Sequence, residues 1–465
     1  MITERTLLLA QSPNPRNFTK GLSVVLAAVC IVDVFGVFPI ISLPKSIIDC
    51  GYYGIAVVIS ICSMQIYTAI LLGKCWLIAE RIDPEIHSKN RYPYSALADL
   101  AFGPSFRKFV TFLVDITIFG GGIPNLIVAS QNLQLLGLRL SENSFDLSSC
   151  YWIIILGLIL CPLLWMGSPK DMKLICTISV CMVTAVFLLV LGCILFDFDG
   201  KQPKTDQATM DETISFKRII AAYGILAFQF DIHPSILTIQ LDMKNKSKIT
   251  SAVILGFGIS VGMFSLTVIS CAFRYGNSTQ RSLLGTLPSS IFLHVAALLV
   301  AIQLCLTSAV SNNALYQHME DCLGIARDFN HRRCLLRTSL CLLAIFLAEA
   351  VPRLDIAMSL IGGTLVGPLV FIIPPLIYLK ITAMKRDLKK DVQLQQMYQA
   401  TRTELAKDKE SEGKTESQSK TELFLCIFIM LFGFVSTFGT SYINIINTID
   451  YARFTEPCLY NLTLN

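Results

Sequence analysis

Phe216 to Met243 reads FKRIIAAYGILAFQFDIHPSILTIQLDM. It opens and closes as apolar sequence long enough to enter a bilayer, yet it sets Asp231, His233 and Pro234 within four residues at its middle. Charged or titratable side chains near a bilayer centre cost about 2.5–3.5 kcal/mol each even on lenient insertion scales, so they face a cavity or a partner. Pro234 lacks the N–H that a helix interior needs, and it biases His233 away from helical geometry. The reading is therefore a helix broken at FQFDIHPS. Irregular backbone at membrane depth is tolerated only where it is buried in protein or lines a watery cavity. The plainer alternative is a proline-kinked helix in which Asp231 and His233 only satisfy freed backbone groups.

Working outward, 53% of the 465 residues are hydrophobic and 15% are charged. Soluble domains carry about 25% charged residues, so the chain is expected to be an all-α polytopic membrane protein. Most of the sixteen cysteines fall inside apolar runs, where they pack as small hydrophobes and argue against a disulfide scaffold. No CxxC pair or His/Cys cluster at metal spacing occurs, and no cofactor, metal or nucleic-acid partner is expected. The apolar runs give eleven candidate spans: 21–43, 53–79, 108–137, 151–167, 172–196, 216–240, 250–272, 290–316, 335–351, 356–380 and 422–449. With the N-terminus in the cytoplasm, most of the 38 Lys and Arg fall to the inside, as the positive-inside rule asks.

That topology divides the chain into a cytoplasmic tail (1–20), a ten-helix core (21–380), a flexible or loosely helical cytoplasmic loop (381–421), an eleventh helix (422–449) and a luminal or extracellular tail (450–465). The sequons at Asn277 and Asn461 fall on the outer face, whereas those at Asn17 and Asn245 fall inside. The tail carries Glu4 with Leu8 and Leu9, an acidic dileucine pattern of the kind sorting adaptors read. It points to a vesicular or endolysosomal membrane, with the plasma membrane as the alternative. The tail lacks the n-region, h-region and cleavage site of a signal peptide, so insertion is expected to rely on the first span.

The first span is the other anomaly. Leu22 to Leu43 carries Asp33, Gly36 and Pro39 near its centre. Broken spans 1 and 6, five helices apart, suit two inverted five-helix repeats whose discontinuous helices meet at the midplane. There, exposed N–H groups attract a carboxylate while freed carbonyls and acids hold a cation or proton. That geometry suits an amino acid zwitterion.

Further segments resemble the amino acid/auxin permease family, which includes vesicular inhibitory and proton- or sodium-coupled amino acid transporters. Leu43-Pro44 followed by Cys50-Gly51-Tyr52-Tyr53-Gly54 is similar to its LPYA and GGYLG segment. Tyr94 to Ala98 with Phe102-Gly103 resembles the loop after span 2, and Phe228, His233 and Met243 match its span 6 pattern. Ser359 to Gly362, Gly367-Pro368, Phe371 to Pro374 and Tyr378-Leu379 resemble its span 10 block. The resemblance covers nearly the whole chain and implies an eleven-helix, LeuT-like 5+5 inverted-repeat fold.

The departures are informative. The family's glycine-rich turn in span 1 is here Val37-Phe38-Pro39, with glycine displaced to Gly36, leaving less room for a carboxylate. Asp33 stands where sodium-coupled members carry an asparagine, and Thr307 near their span 8 hydroxyl ligand. An acid in a dry site is costly to keep charged, so Asp33 is expected to load and release a proton, with sodium as the alternative ion. Histidine titrates near neutral pH, so His233 is a second proton-exchange candidate. Phe228 is expected in the pocket wall, Asp231 beside the path, Asp115 as a snorkelling interfacial acid and Glu349 at a helix end. The expected function is secondary active transport of amino acids or similar small zwitterions, coupled to protons. A membrane amino acid sensor and a sodium-coupled carrier are the other readings. No nucleophile–base set stands beside the breaks to suggest an enzyme.

Overall fold

The computed structural model describes residues 21–86, 92–142, 144, 147–165, 169–196, 216–326, 329–350, 354–403 and 420–451. The described residues are almost wholly helical. Span 1 is α1 (Val24–Phe35) followed by the short α2 (Phe38–Ile41) and α3 (Leu43–Ile48). Then come α4 (Tyr52–Ile82), a connecting helix α5 (Pro93–Phe102), α6 (Pro104–Leu140), α7 (Ser149–Trp165) and α8 (Pro169–Leu195). Span 6 is split into α9 (Phe216–Gln229) and α10 (His233–Asp242). The chain continues through α11 (Ile249–Arg274), α12 (Ile291–Cys322), α13 (His331–Ala350), α14 (Leu354–Ile361), α15 (Ile373–Thr403) and α16 (Lys420–Tyr451).

Among the described residues, eight helices are long and apolar enough to cross a membrane. Three of the eleven predicted spans fall short of that measure for visible reasons. Span 1 is interrupted after twelve residues, α7 has seventeen, and α13 opens on His331, Arg332 and Arg333. The link from residue 381, read as flexible or loosely helical, begins as helix, with α15 running on to Thr403. Residues 404–419 lie outside the described residues, as do Asn461 and the tail with Glu4, Leu8 and Leu9.

The two breaks have local causes. The Ser23 hydroxyl caps the start of α1 by accepting from the Leu26 N–H at 3.2 Å. Its other end is Gly36 at φ 61°, where a side chain would be strained and where a Cβ would stand 3.0 Å from Gln303 Nε2. In span 6, Pro234 sits in the first turn of α10, and the Asp231 side chain accepts the His233 N–H at 2.9 Å. The carbonyls left over at the end of α9 need partners. Gln65 of α4 supplies one, donating to the Ala227 carbonyl at 2.9 Å.

The halves are tied together at the end where α1 begins. Leu22 N–H donates to the Asp242 carbonyl at 2.7 Å, and Lys244 N–H returns to the Leu22 carbonyl at 2.9 Å. Phe35, Phe230 and Phe257 pack edge-on and stacked behind both breaks, with centroids 4.9–6.2 Å apart, so spans 1, 6 and 7 share one aromatic core. Span 10 opens into π-helical turns at Gly362–Val366 and Pro368–Ile372. A Cβ on Gly362 would lie 1.9 Å from the Gly224 carbonyl oxygen, which is how closely span 10 approaches α9.

Away from the breaks, α12 and α13 are joined by a buried ion pair. Fully buried Arg337 donates to Glu320 at 2.6 Å and to the Leu164 carbonyl of α7, and its guanidinium lies 5.5 Å from the Tyr316 ring. Cys150 at the start of α7 is disulfide-bonded, whereas the other described cysteines form no disulfide.

Candidate functional site

The two breaks face one cavity of about 110 Å³. Four spans line it. Gly36 and Phe38 come from the first break, Gly121, Gly122 and Asn125 from α6, and Phe228, Asp231 and Ser235 from the second break. α12 contributes Thr307, Ser308, Ser311 and Asn312. Among the described residues α6 and α12 share the most extensive helix contact, and together they complete the wall. Asn125 there donates to the Ser308 hydroxyl at 3.0 Å.

Five of the residues singled out by sequence therefore reach the wall: Gly36, Phe38, Phe228, Asp231 and Thr307. Asp33, Val37 and His233 are buried behind it. Asp33 lies one turn below the first break and takes hydrogen bonds from Ser179 and Cys176 of α8 and from Thr307. Its Oδ1 is buried with no hydrogen-bond partner among the described residues.

Gln303, which sequence reasoning missed, organises this corner. It is fully buried, and its Nε2 donates to Thr307 Oγ1 at 2.7 Å and to Ser179 Oγ at 3.1 Å. Its Oε1 accepts the Val37 N–H at 3.4 Å, a donor that the break in span 1 leaves over. The broken backbone, the Asp33 corner and α12 are thus one polar network inside an apolar bundle. A signal for it existed: Gln303, Thr307, Ser308, Ser311 and Asn312 recur at helical spacing within an otherwise apolar run.

His233 is held from both sides. Its Nδ1 lies 3.1 Å from Asp231 Oδ1 and its Nε2 3.0 Å from Thr68 Oγ1, and it has no exposed surface. It orients the carboxylate that reaches the cavity and does not itself line the wall. Asp115 does not snorkel: it accepts from the Tyr92 hydroxyl at 2.8 Å and pairs with His318 of α12 at 3.0 Å. An acid with two partners between packed helices has no reason to reach for the interface. Glu349 lies one residue from the end of α13. Among the described residues no group of three or more His, Cys, Asp or Glu could hold a metal ion.

Residues 22–401 match the family model described as transmembrane amino acid transporter protein. The amino acid transporter AVT1E of Arabidopsis thaliana is 25% identical over 352 residues, covering 74% of this chain and 64% of that one. The sodium-coupled neutral amino acid symporter 2 of Danio rerio is 22% identical over 333 residues, covering 64% of this chain and 65% of its own length. The chain spans just under two thirds of these relatives. Its fold is similar to that of MhsT, crystallised with L-phenylalanine, with a TM-score of 0.55 over 91% of this chain and 99% of that one at 10% identity.

Proposed function

Because the chain belongs to the family of transmembrane amino acid transporter proteins, we propose that the cavity between its two helix breaks takes up an amino acid and carries it across the membrane by alternating access. One observation carries this reading: both breaks, five spans apart, open onto one cavity that mixes apolar and polar side chains, with α6 and α12 completing its wall. The family is one of transporters rather than enzymes.

The same reading makes Asp33 the coupling group. A carboxyl group buried this deeply, with one oxygen unpartnered among the described residues, is a place for a proton, because burial disfavours its charged form even though Ser179, Cys176 and Thr307 donate to it. Sodium, the ion to which the Danio rerio symporter is coupled, is the competing ion, and Asp33 with the Thr307 hydroxyl would be its ligands.

The orientation with the N-terminus in the cytoplasm has support from Cys150. It sits on the face that this orientation puts outside, where oxidising conditions sustain disulfides. Glu4 with Leu8 and Leu9 supports a vesicular or endolysosomal address read by a sorting adaptor. Changing both leucines to alanine would then move the protein to the cell surface.

Uptake of the twenty amino acids into proteoliposomes tests the proposal. Accumulation of small neutral amino acids against a gradient is the expected result. Saturable binding without accumulation would assign the cavity to a sensor instead.

A further inference from the structure

α15 runs out of the apolar bundle as an unbroken helix, and its first charged turns are ordered in a way that helix stability does not explain. The edge of the bundle is marked by Glu422 of α16, which accepts from the Tyr378 hydroxyl at 3.3 Å while Lys74 of α4 approaches at 3.9 Å. Two residues along α16, Phe424 is exposed, as a lipid-facing side chain is. With the N-terminus in the cytoplasm, this edge is the cytoplasmic one.

Past it, residues 385–391 of α15 read KRDLKKD. All three charged pairs four residues apart are like-charged: Lys385 with Lys389, Arg386 with Lys390, and Asp387 with Asp391. Such pairs destabilise an isolated helix, whereas opposite charges at that spacing stabilise it. At about 100° per residue the four cations share an arc of about 140°, and the two acids fall together outside it. Arg386, Lys389 and Lys390 are exposed, and Lys385 beside them is half-buried. Asp387 and Lys390, the one pair of opposite sign at facing spacing, form no ion pair among the described residues. The positive-inside rule accounts for cations on this side of the membrane. It does not account for their segregation onto one helix face.

Height selects the partner. At about 1.5 Å per residue, Lys385 stands about 10 Å and Lys390 about 18 Å past Tyr378 along the helix. A headgroup layer is about 5–7 Å deep on each side of a bilayer, so the patch lies beyond its outer edge and its long side chains reach back toward it. A serine headgroup, with one net charge inside the layer, meets these cations singly. A headgroup that projects from the layer and carries several phosphates meets them together, through charge-assisted hydrogen bonds.

We propose that the face of α15 formed by Lys385, Arg386, Lys389 and Lys390 binds a multiply phosphorylated inositol phospholipid of the cytoplasmic leaflet. The proposal is independent of what the cavity carries. It rests on the cytoplasmic N-terminus, which accessibility of an N-terminal tag tests separately.

The test is native mass spectrometry of the purified full-length protein, released from detergent after incubation with equimolar phosphatidylinositol 4,5-bisphosphate and phosphatidylserine of the same acyl chains. The wild type is expected to retain the inositol lipid at least tenfold more than the serine lipid. Arg386→Gln, Lys389→Gln and Lys390→Gln combined keep a good helix former at exposed positions and should lower that retention by about tenfold or more. If that variant does not fold, Asp387→Asn with Asp391→Asn raises the positive charge of the segment and should increase retention. Free inositol 1,4,5-trisphosphate at the same concentration is expected to leave the lipid in place; displacement would assign the patch to a soluble phosphate and overturn the proposal. Equal retention of phosphatidylserine, or retention indifferent to these substitutions, would overturn it too. Retention of neither lipid would do the same and leave the patch to an acidic protein.

Discussion

Gln303 Oε1 accepts the Val37 N–H from across the bundle, 3.4 Å away and 266 positions apart in sequence. The contact couples the break in span 1 to α12, and through Gln303 Nε2 it reaches Ser179 and Thr307, both partners of Asp33. Gln303→Leu fills a similar volume but strands these buried groups, each at about 1–3 kcal/mol. The expected outcome is a lower melting temperature of the purified protein together with loss of amino acid accumulation. Unchanged melting and uptake would show that the network contributes nothing.

His233 separates a transport role from a structural one. It makes contacts to Asp231 and Thr68 and has no exposed surface. His233→Ala frees Asp231 to turn away from the cavity, so uptake should fall far more than the yield of folded protein. Parallel losses of both would mean that the pair only satisfies backbone around Pro234.

Gly362 and Gly192 make a matched pair for packing. A Cβ at Gly362 would collide with the Gly224 carbonyl, whereas one at Gly192 meets nothing within 4 Å. Gly362→Ala should lower stability by about 1–3 kcal/mol or more, the usual cost of overpacking. Gly192→Ala should be close to neutral. Fluorescence size-exclusion profiles after a heat step measure both, and equal behaviour would contradict the close approach of span 10 to α9.

For the orientation, Asn277 is the reporter. Asn277 and Ser278 are exposed beside α11, and the Asn277 carbonyl accepts from Lys45 Nζ at 3.0 Å on the face where α2 and α3 emerge. Glycosidase treatment should shift the wild type on a gel and leave Asn277→Gln shifted less. An N-terminal tag reached by antibody from outside intact cells would reverse the topology.

The breaks were legible because each violates a helix rule within a few residues. Pro234 after Asp231 and His233, and Pro39 after Asp33 and Gly36, interrupt apolar runs that otherwise keep a steady helical character. The polar series that carries Gln303 marks a face of α12, but its partners Val37 and Ser179 were not legible, since what a polar face meets is fixed only when packing sets helix rotation. Span 3 had the same ambiguity. Gly121 and Gly122 of that span line the cavity, while Asp115, read as interfacial, meets Tyr92 and His318. The link after residue 380, read as flexible or loosely helical because it has no apolar stripe, continues α15 to Thr403, since a helix already nucleated extends through polar residues at little cost per added turn.

The central claim is that amino acid movement through this cavity is driven by protons loaded on Asp33. The most direct measurement is uptake of L-alanine into proteoliposomes under an inside-alkaline pH gradient without sodium, comparing wild type with Asp33→Asn. Proton coupling at Asp33 predicts that the wild type concentrates alanine and that the variant does not, while the variant still exchanges pre-loaded alanine, because exchange needs no net proton movement. If Asp33→Asn concentrates alanine as steeply as the wild type, or if the wild type does so only when sodium is supplied, Asp33 is not a proton-coupling site.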